Sequence, residues 1–128
     1  MSDVTSIEAF FDSFVSAFAT FDAAKVATHF IAPGVAHRRD GSLVPLTTMS
    51  DVERYYRGAL DRYRDDGCTS CTWEALETVP MGSASLLAAV TWRLLRADAS
   101  PLTSWRQSYA LSLAGGSPKI FASSMHAT

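Results

Sequence analysis

"TSWRQSYALSL", residues 103–113, alternates between two kinds of side chain in the way a half-buried β-strand does. One face carries Trp105, Gln107, Tyr109, Leu111 and Leu113, and the other carries three serines, one arginine and one alanine. The first face is therefore the inward one, but near the start of the strand its leucines give way to an indole, an amide and a phenol. Such groups combine buried area with a hydrogen-bonding atom. We interpret this part of the face as the wall of a small-molecule cavity.

The length and composition predict a single globular domain, residues 1–128. Of the 128 residues, 48% are hydrophobic and 19% are charged, which is enough for a core of its own. Eleven basic and thirteen acidic side chains give a formal charge of −2, so no excess charge favours nucleic acid or anionic lipid. No apolar run has the length of a membrane span, and the first residues do not have the pattern of a signal peptide. We expect a cytoplasmic protein that binds neither nucleic acid nor membrane.

Two helices are predicted at the start of the chain. The first spans about Thr5 to Thr20, because its phenylalanines recur at steps of three and four residues and so form a core face. The second is short, with Asp22 as its N-cap and Pro33-Gly34 soon after its end.

A hairpin and a third helix are predicted next. Residues 35–38 pair with residues 42–46 across the turn signal Asp40-Gly41. The third helix has Ser50 as its predicted N-cap and Gly67 as its end. Its arginines are interleaved with acids, so we interpret its outer face as solvated and self-paired rather than as a phosphate site. These arginines are Arg54, Arg57, Arg62 and Arg64.

Four long strands follow, separated by the turns "PMGS", "ADASP" and "AGGSP". Consecutive strands with tight turns predict an antiparallel meander. The strands are predicted at about Thr69–Val79, Ala84–Ala97, Leu102–Leu113 and Lys119–His126.

The second of these strands is apolar on both faces. Its outer face carries Leu87, Ala89, Thr91, Arg93 and Leu95. A sheet that is covered by helices on one side and is half apolar on the other favours a partner on that other side. We therefore predict a homodimer formed through the sheet.

The two cysteines form the motif C-x-x-C, Cys68 and Cys71. A zinc site would need further ligands, and a redox pair usually opens a helix rather than a strand. We interpret them as two unrelated reduced thiols.

The order of the elements and three phrases resemble the nuclear transport factor 2-like superfamily. "FFDSFVSAFATFDAAKVATHFIAPGV" resembles its opening helices, "DGSLVPLTTMSDVERYYRGAL" its hairpin and third helix, and "QSYALSLAGGSPKIFASSMH" its last two strands. The resemblance covers nearly the whole chain. It is nearest in style to the SnoaL-like polyketide cyclases and to proteins similar to ketosteroid isomerase.

The resemblance implies an α+β fold, a cystatin-like cone. Three N-terminal helices pack on a curved, mixed and mostly antiparallel sheet, in the order α-α-β-β-α-β-β-β-β. It also implies a pocket between the sheet and the first helices that takes a small apolar molecule, without a cofactor or a metal. The residues expected to bind this molecule are Phe14, Phe18, Tyr56, Trp73, Trp92, Trp105, Gln107 and Tyr109.

In the isomerases and cyclases, an aspartate near the first hairpin moves protons on a carbonyl compound. The corresponding region here is "HRRD", in which Asp40 falls into the turn and the positions that align are His37, Arg38 and Arg39. His37 is either a base in its own right, because imidazole titrates near neutrality, or a surface residue of the hairpin.

His126 is the third catalytic candidate. It shares strand parity with Ile120, Ala122 and Ser124, and in the resembling family this parity faces inward. His126 is then either a cavity residue or a frayed terminal one.

Three functions remain open at this point. The chain is a proton-transfer enzyme of the isomerase, cyclase or dehydratase type acting on a small apolar carbonyl compound, or a dimeric module that binds or senses an apolar metabolite without altering it, or an interaction domain that works through its sheet.

Overall fold

Nine elements make up the computed structural model, which describes residues 4–127, with side chains from Ser6 onward. The helices are α1 (Val4–Ala19), α2 (Ala23–Ala27) and α3 (Met49–Asp65). The strands are β1 (Phe30–His37), β2 (Leu43–Leu46), β3 (Ser70–Met81), β4 (Ser85–Leu95), β5 (Pro101–Ser112) and β6 (Lys119–Met125). The predicted element order is confirmed. None of the helices in the described range is both long and apolar enough to cross a membrane.

The helix starts follow from local capping. Asp22 caps α2 as predicted, by accepting a hydrogen bond from the Ala24 backbone N–H at 2.9 Å. The predicted cap of α3 at Ser50 is wrong, because Thr48 and Asp51 form a reciprocal capping box two residues earlier. The Asp51 N–H donates to Thr48 Oγ1 at 3.1 Å, and the Thr48 N–H donates to Asp51 Oδ2 at 3.1 Å.

One mixed sheet contains all six strands of the described chain, in the order β2-β1-β6-β5-β4-β3. Strands β3 to β6 form the predicted antiparallel meander, and β1 pairs antiparallel with β2. The pairing of β1 with β6 is parallel, and it joins the N-terminal hairpin to the meander.

Strand β1 is longer than the predicted hairpin arm and runs through Pro33 and Gly34. At Gly34 the backbone of β6 comes very close, since a Cβ placed there would lie 2.6 Å from the Phe121 carbonyl oxygen. Only a residue without a side chain allows this approach.

Strand β6 contains a β-bulge at Phe121. Ile120 pairs with Leu111 and Ala122 pairs with Ala110, so one extra residue lies between the two pairs. After the bulge, Ser123 pairs with Tyr109 and Met125 pairs with Gln107 on the inward side. The bulge therefore reverses the parity of every later residue in the strand.

The core lies between α1 and the inner face of the sheet, as the phenylalanine spacing predicts. The ring of Phe11, fully buried, contacts the rings of Trp92 and Tyr109 at centroid distances of 6.0 and 5.7 Å. Phe14 packs on Trp92 at 5.4 Å. Edge-to-face and tilted contacts of this kind stabilise the core beyond the area that they bury.

Candidate functional site: a cavity between the third helix and the sheet

A cavity of about 330 Å³ opens between α3, α1 and the inner face of the sheet. Seven of the eight residues predicted to bind a ligand line it: Phe14, Phe18, Tyr56, Trp92, Trp105, Gln107 and Tyr109. Four exposed residues of the lining, Arg38, Arg39, Asp40 and Arg62, form what we call the mouth. The rest of the lining is buried or half-buried.

Aromatic rings form one continuous wall of the cavity. Tyr63 stacks on Trp105 with a centroid distance of 6.0 Å and an interplanar angle of 30°, and its other neighbour is Phe18 at 6.0 Å. These rings come from α3, β5 and α1, respectively. Flat apolar surface is therefore presented by three separate elements.

Two polar side chains of β5 are bonded to each other. The Trp105 indole N–H donates to Gln107 Oε1 at 2.7 Å. The sequence alone leaves open whether the Gln107 amide bonds a neighbour, such as Tyr56 or Tyr63, or addresses a ligand or water; in the structure its oxygen bonds a neighbour, which is Trp105. Across the described side chains, Gln107 Nε2 donates to no acceptor, so this N–H₂ group is not committed to a protein partner.

The deep end of the cavity is held together by a buried hydrogen bond. The Trp92 indole N–H donates to the Tyr109 hydroxyl at 2.7 Å. Burial raises the pKa of Tyr109, and burial likewise raises the pKa of Tyr56. Both phenols therefore stay neutral and act as hydrogen-bonding groups rather than as bases.

Asp40 lies at the mouth, within the hairpin turn. Its Oδ1 accepts hydrogen bonds from the Ser42 hydroxyl at 2.6 Å and the Ser42 backbone N–H at 2.9 Å. These two bonds, together with the nearby charge of Arg38, lower the pKa of Asp40. A general base at neutral pH needs a raised carboxylate pKa, so this environment is the opposite of the one required.

His37 and His126 lie on the outer face of the sheet, away from the cavity. His37 Nδ1 is 2.9 Å from Ser124 Oγ, and His126 Nε2 is 2.7 Å from Ser108 Oγ. Ser124 and Ser108 are themselves paired across β5 and β6. The placement of His126 on the face of Ile120 is wrong because the bulge at Phe121 reverses the parity between them.

Trp73 does not line the cavity, unlike the other predicted ligand-binding residues. Its ring packs against Phe11 at 6.1 Å, and its indole N–H donates to Asp12 Oδ1 at 2.9 Å. Helix α1 therefore covers this part of β3. Strand parity identifies the inward face, but it does not tell which inward residues a helix covers.

The sequence missed several lining residues, among them Tyr63, Cys71, Met125 and Arg62. The available signal for Tyr63 is its helical spacing after Tyr56, Ala59 and Leu60, which places it on the inner face of α3. Met125 could not be found without knowledge of the bulge.

The two cysteines are free and buried, in agreement with the predicted reduced thiols. Burial raises the pKa of Cys71 to about 12, so its thiol is protonated at neutral pH and is a poor nucleophile. Within residues 6–127, no cluster of three or more histidine, cysteine or acidic side chains has the arrangement of a metal site.

Helices packed on one face of a mixed sheet, with a cavity between them, define a cystatin-like α+β fold. The chain belongs to the family described as NTF2-like protein (DUF6841), whose model matches residues 3–128. Among curated proteins, none matches the chain.

Solved structures with the same fold come from several bacteria. Aln2 from a Streptomyces species has a TM-score of 0.77 at 15% identity, over 96% of this chain and 89% of that one. A ketosteroid isomerase-like protein from Erwinia carotovora atroseptica has a TM-score of 0.71 at 14% identity, over 96% and 94% of the two chains. An NTF2-like protein from Novosphingobium aromaticivorans has a TM-score of 0.76 at 9% identity, over 98% and 81%. At such identities the similarity establishes the fold alone.

Proposed function

We propose that this protein binds a small, flat and largely apolar molecule in the cavity and does not alter it chemically. The observation that carries the proposal is the lining itself, in which aromatic rings surround the Gln107 amide, whose Nε2 donates to no acceptor among the described side chains. In the described part of the chain, the carboxylate that lines the cavity is that of Asp40 at the mouth, and both outward histidines are away from it.

The size of the cavity supports a small ligand. A volume of about 330 Å³ lies near the lower end of the range for ligand pockets, roughly 300–1,000 Å³. The stacked rings of Tyr63 and Trp105 favour a planar molecule, because aromatic faces stack with an offset on other flat groups. The Gln107 Nε2 donor favours a carbonyl or ether oxygen on that molecule.

A fluorescent probe tests the proposal directly. N-phenyl-1-naphthylamine is neutral, flat and apolar, and its emission rises in an apolar site. We expect saturable binding with one molecule per chain. Ala59 of α3 lines the cavity, so Ala59→Phe fills part of the space and should weaken binding about tenfold or more, which corresponds to about 1.4 kcal/mol or more.

Two controls keep this experiment decisive. Ala24→Phe adds the same side chain on the exposed surface of α2 and should leave binding unchanged. Trp105→Ala removes one wall of the cavity instead of filling it, and it should also weaken binding. It replaces Ala59→Phe as the test if that variant does not fold. An absence of saturable binding, or equal binding by the wild type and both cavity variants, would contradict the proposal.

A proton-transfer enzyme is the second candidate: Asp40 is a carboxylate in the lining, and its lowered pKa is what places this candidate behind simple binding. The test is the isomerisation of a β,γ-unsaturated steroid ketone to the conjugated α,β-unsaturated ketone, which is monitored by ultraviolet absorbance. We expect no turnover above the buffer rate. If the wild type turns the ketone over and Asp40→Asn does not, the protein is a proton-transfer enzyme, and the proposal of simple binding is wrong.

A further inference from the structure

The mouth of the cavity carries an excess of positive charge that the rest of the fold does not explain. Arg38 and Arg39 come from the turn after β1, and Arg62 comes from α3. With Asp40, these side chains give a formal local charge of 3 − 1 = +2, whereas the whole chain carries −2.

The three arginines at the mouth are not bound to acids. Among the side chains from Ser6 to Ala127, the ion pairs of α3 join Arg54 to Asp51 and Arg57 to Glu53. None of the ion pairs in this range includes an arginine of the mouth. The predicted self-pairing of the helix therefore holds for its first two arginines and not for Arg62 or Arg64.

Asp40 offsets one of these three positive charges, but in the described range it forms no ion pair with an arginine of the mouth. Its Oδ1 is occupied by the hydroxyl and the backbone N–H of Ser42, so the carboxylate serves the turn. The nearest arginine influences it only through space.

Two of the arginines, Arg39 and Arg62, line the cavity together with Tyr63. Burial raises the pKa of Tyr63, while the positive charges of Arg62 and Arg39 act in the opposite direction. The Tyr63 ring stacks on Trp105, so the charged groups border the aromatic wall of the cavity.

We propose that the ligand is an amphipathic carboxylic acid, with its apolar body in the cavity and its carboxylate among Arg38, Arg39 and Arg62. This inference rests on the proposed binding function and specifies its ligand class. Guanidinium groups bind carboxylates through paired, charge-assisted hydrogen bonds. The interior of the cavity carries no charged side chain in the described range, so the charged end of the ligand lies at the mouth.

Matched probes test the charge of the ligand. 1-Naphthaleneacetate and its neutral isostere 1-naphthaleneacetamide are used to displace N-phenyl-1-naphthylamine at pH 7.5. We expect the acid to bind about tenfold more tightly than the amide, and this preference to shrink as ionic strength increases.

The double variant Arg39→Gln/Arg62→Gln should reduce the preference for the acid over the amide to about twofold or less. Arg57→Gln, on the same helix but paired with Glu53, is the matched control and should keep the full preference. Circular dichroism establishes that the variants, which are all exposed, remain folded.

The outcomes separate the two proposals. Equal affinities for acid and amide, or a preference that survives in the double variant, overturn the inference while binding of the neutral probe still supports the proposed function. Failure of both compounds to displace a bound neutral probe also overturns the inference. Failure of the neutral probe to bind overturns both.

Discussion

His29 is the buried histidine of the chain, and it lies in the core rather than in the cavity. Its ring is packed between Phe10 and Phe14, at centroid distances of 5.5 and 5.3 Å. Nδ1 is 3.1 Å from the Val26 carbonyl oxygen, and Nε2 is 3.0 Å from Ser13 Oγ. A neutral ring with its hydrogen on Nδ1 satisfies both contacts, because it donates to the carbonyl and accepts from the hydroxyl.

We predict that this ring makes the stability depend on pH. Burial lowers the pKa of His29, and the charge of Lys119 adds to this effect. The unfolded chain therefore binds the proton of His29 more tightly than the folded chain does. The contribution of His29 to the free energy of unfolding is fully present above the unfolded pKa of about 6.5 and is lost as the pH falls below it. Urea unfolding between pH 8 and pH 5 should give a steeper loss of stability for the wild type than for His29→Gln. Equal slopes would contradict this account.

Individual residues also mark how far the sequence could be interpreted. Trp105, Gln107 and Tyr109 were placed on the inward face from alternation alone, because β5 is regular in this part. Trp73 was placed in the cavity by the resemblance, but α1 covers it, and its indole N–H is bonded to Asp12. Parity is a local property of a strand, whereas cover by a helix depends on tertiary packing.

Among the elements, β6 was the hardest to predict. Its limits, residues 119–126 in the prediction and Lys119–Met125 in the structure, agree closely. The predicted inward face of β6 does not agree with the structure, because no turn residue or glycine in the strand marks the bulge at Phe121. The capping of α3 was misplaced for a related reason, since Thr48 and Ser50 are both competent caps and only the local backbone decides between them.

The close approach of β1 and β6 at the bulge predicts a large effect of Gly34→Ala. The added Cβ would lie 2.6 Å from a carbonyl oxygen of the backbone, which cannot rotate away as a side chain can. We expect a loss of about 1–3 kcal/mol in the free energy of unfolding, the usual cost of overpacking. Chemical denaturation measures it. Gly115→Ala is the matched control, since nothing lies within 4 Å of its added Cβ, and a similar loss in both variants would refute the explanation.

Cysteine labelling tests the facing of β6 itself. Met125→Cys should place a thiol in the cavity, and Ser124→Cys should place one on the outer face. Bound N-phenyl-1-naphthylamine should slow the alkylation of the first thiol severalfold and leave the second unaffected. Cys68 and Cys71 are buried with raised pKa values, so they give little background. If the bound probe instead protects the Ser124→Cys thiol from alkylation, the parity of β6 is not reversed at Phe121.

For the whole molecule, the outer face of the sheet has two different regions. Its middle carries ion pairs between Arg93 and Glu74 and between Arg106 and Glu77. Toward one end, Val79 and Leu87 form an exposed cross-strand pair, with 57% and 41% of their surfaces accessible. The apolar end is the region on which a second copy would pack.

We therefore predict a homodimer through the sheet, formed around Leu87. Light scattering at micromolar concentration should give twice the chain mass for the wild type, and Leu87→Asp should give a monomer. Leu43→Asp is the matched control, because Leu43 is an even more exposed leucine on β2 at the other side of the sheet. A wild type that is strictly monomeric at this concentration would refute the prediction.

The extra residue in β6 also has an evolutionary consequence. Inserting one codon after Ala122 would move each later residue by one pairing position, so that His126 would lie opposite Trp105 and Ser124 opposite Gln107. The thioether of Met125 would leave the interior, and an imidazole would enter it. A single insertion event thus separates a lining suited to carrying a molecule from one that contains a titratable base, and members of such a lineage could exchange roles without changing their fold.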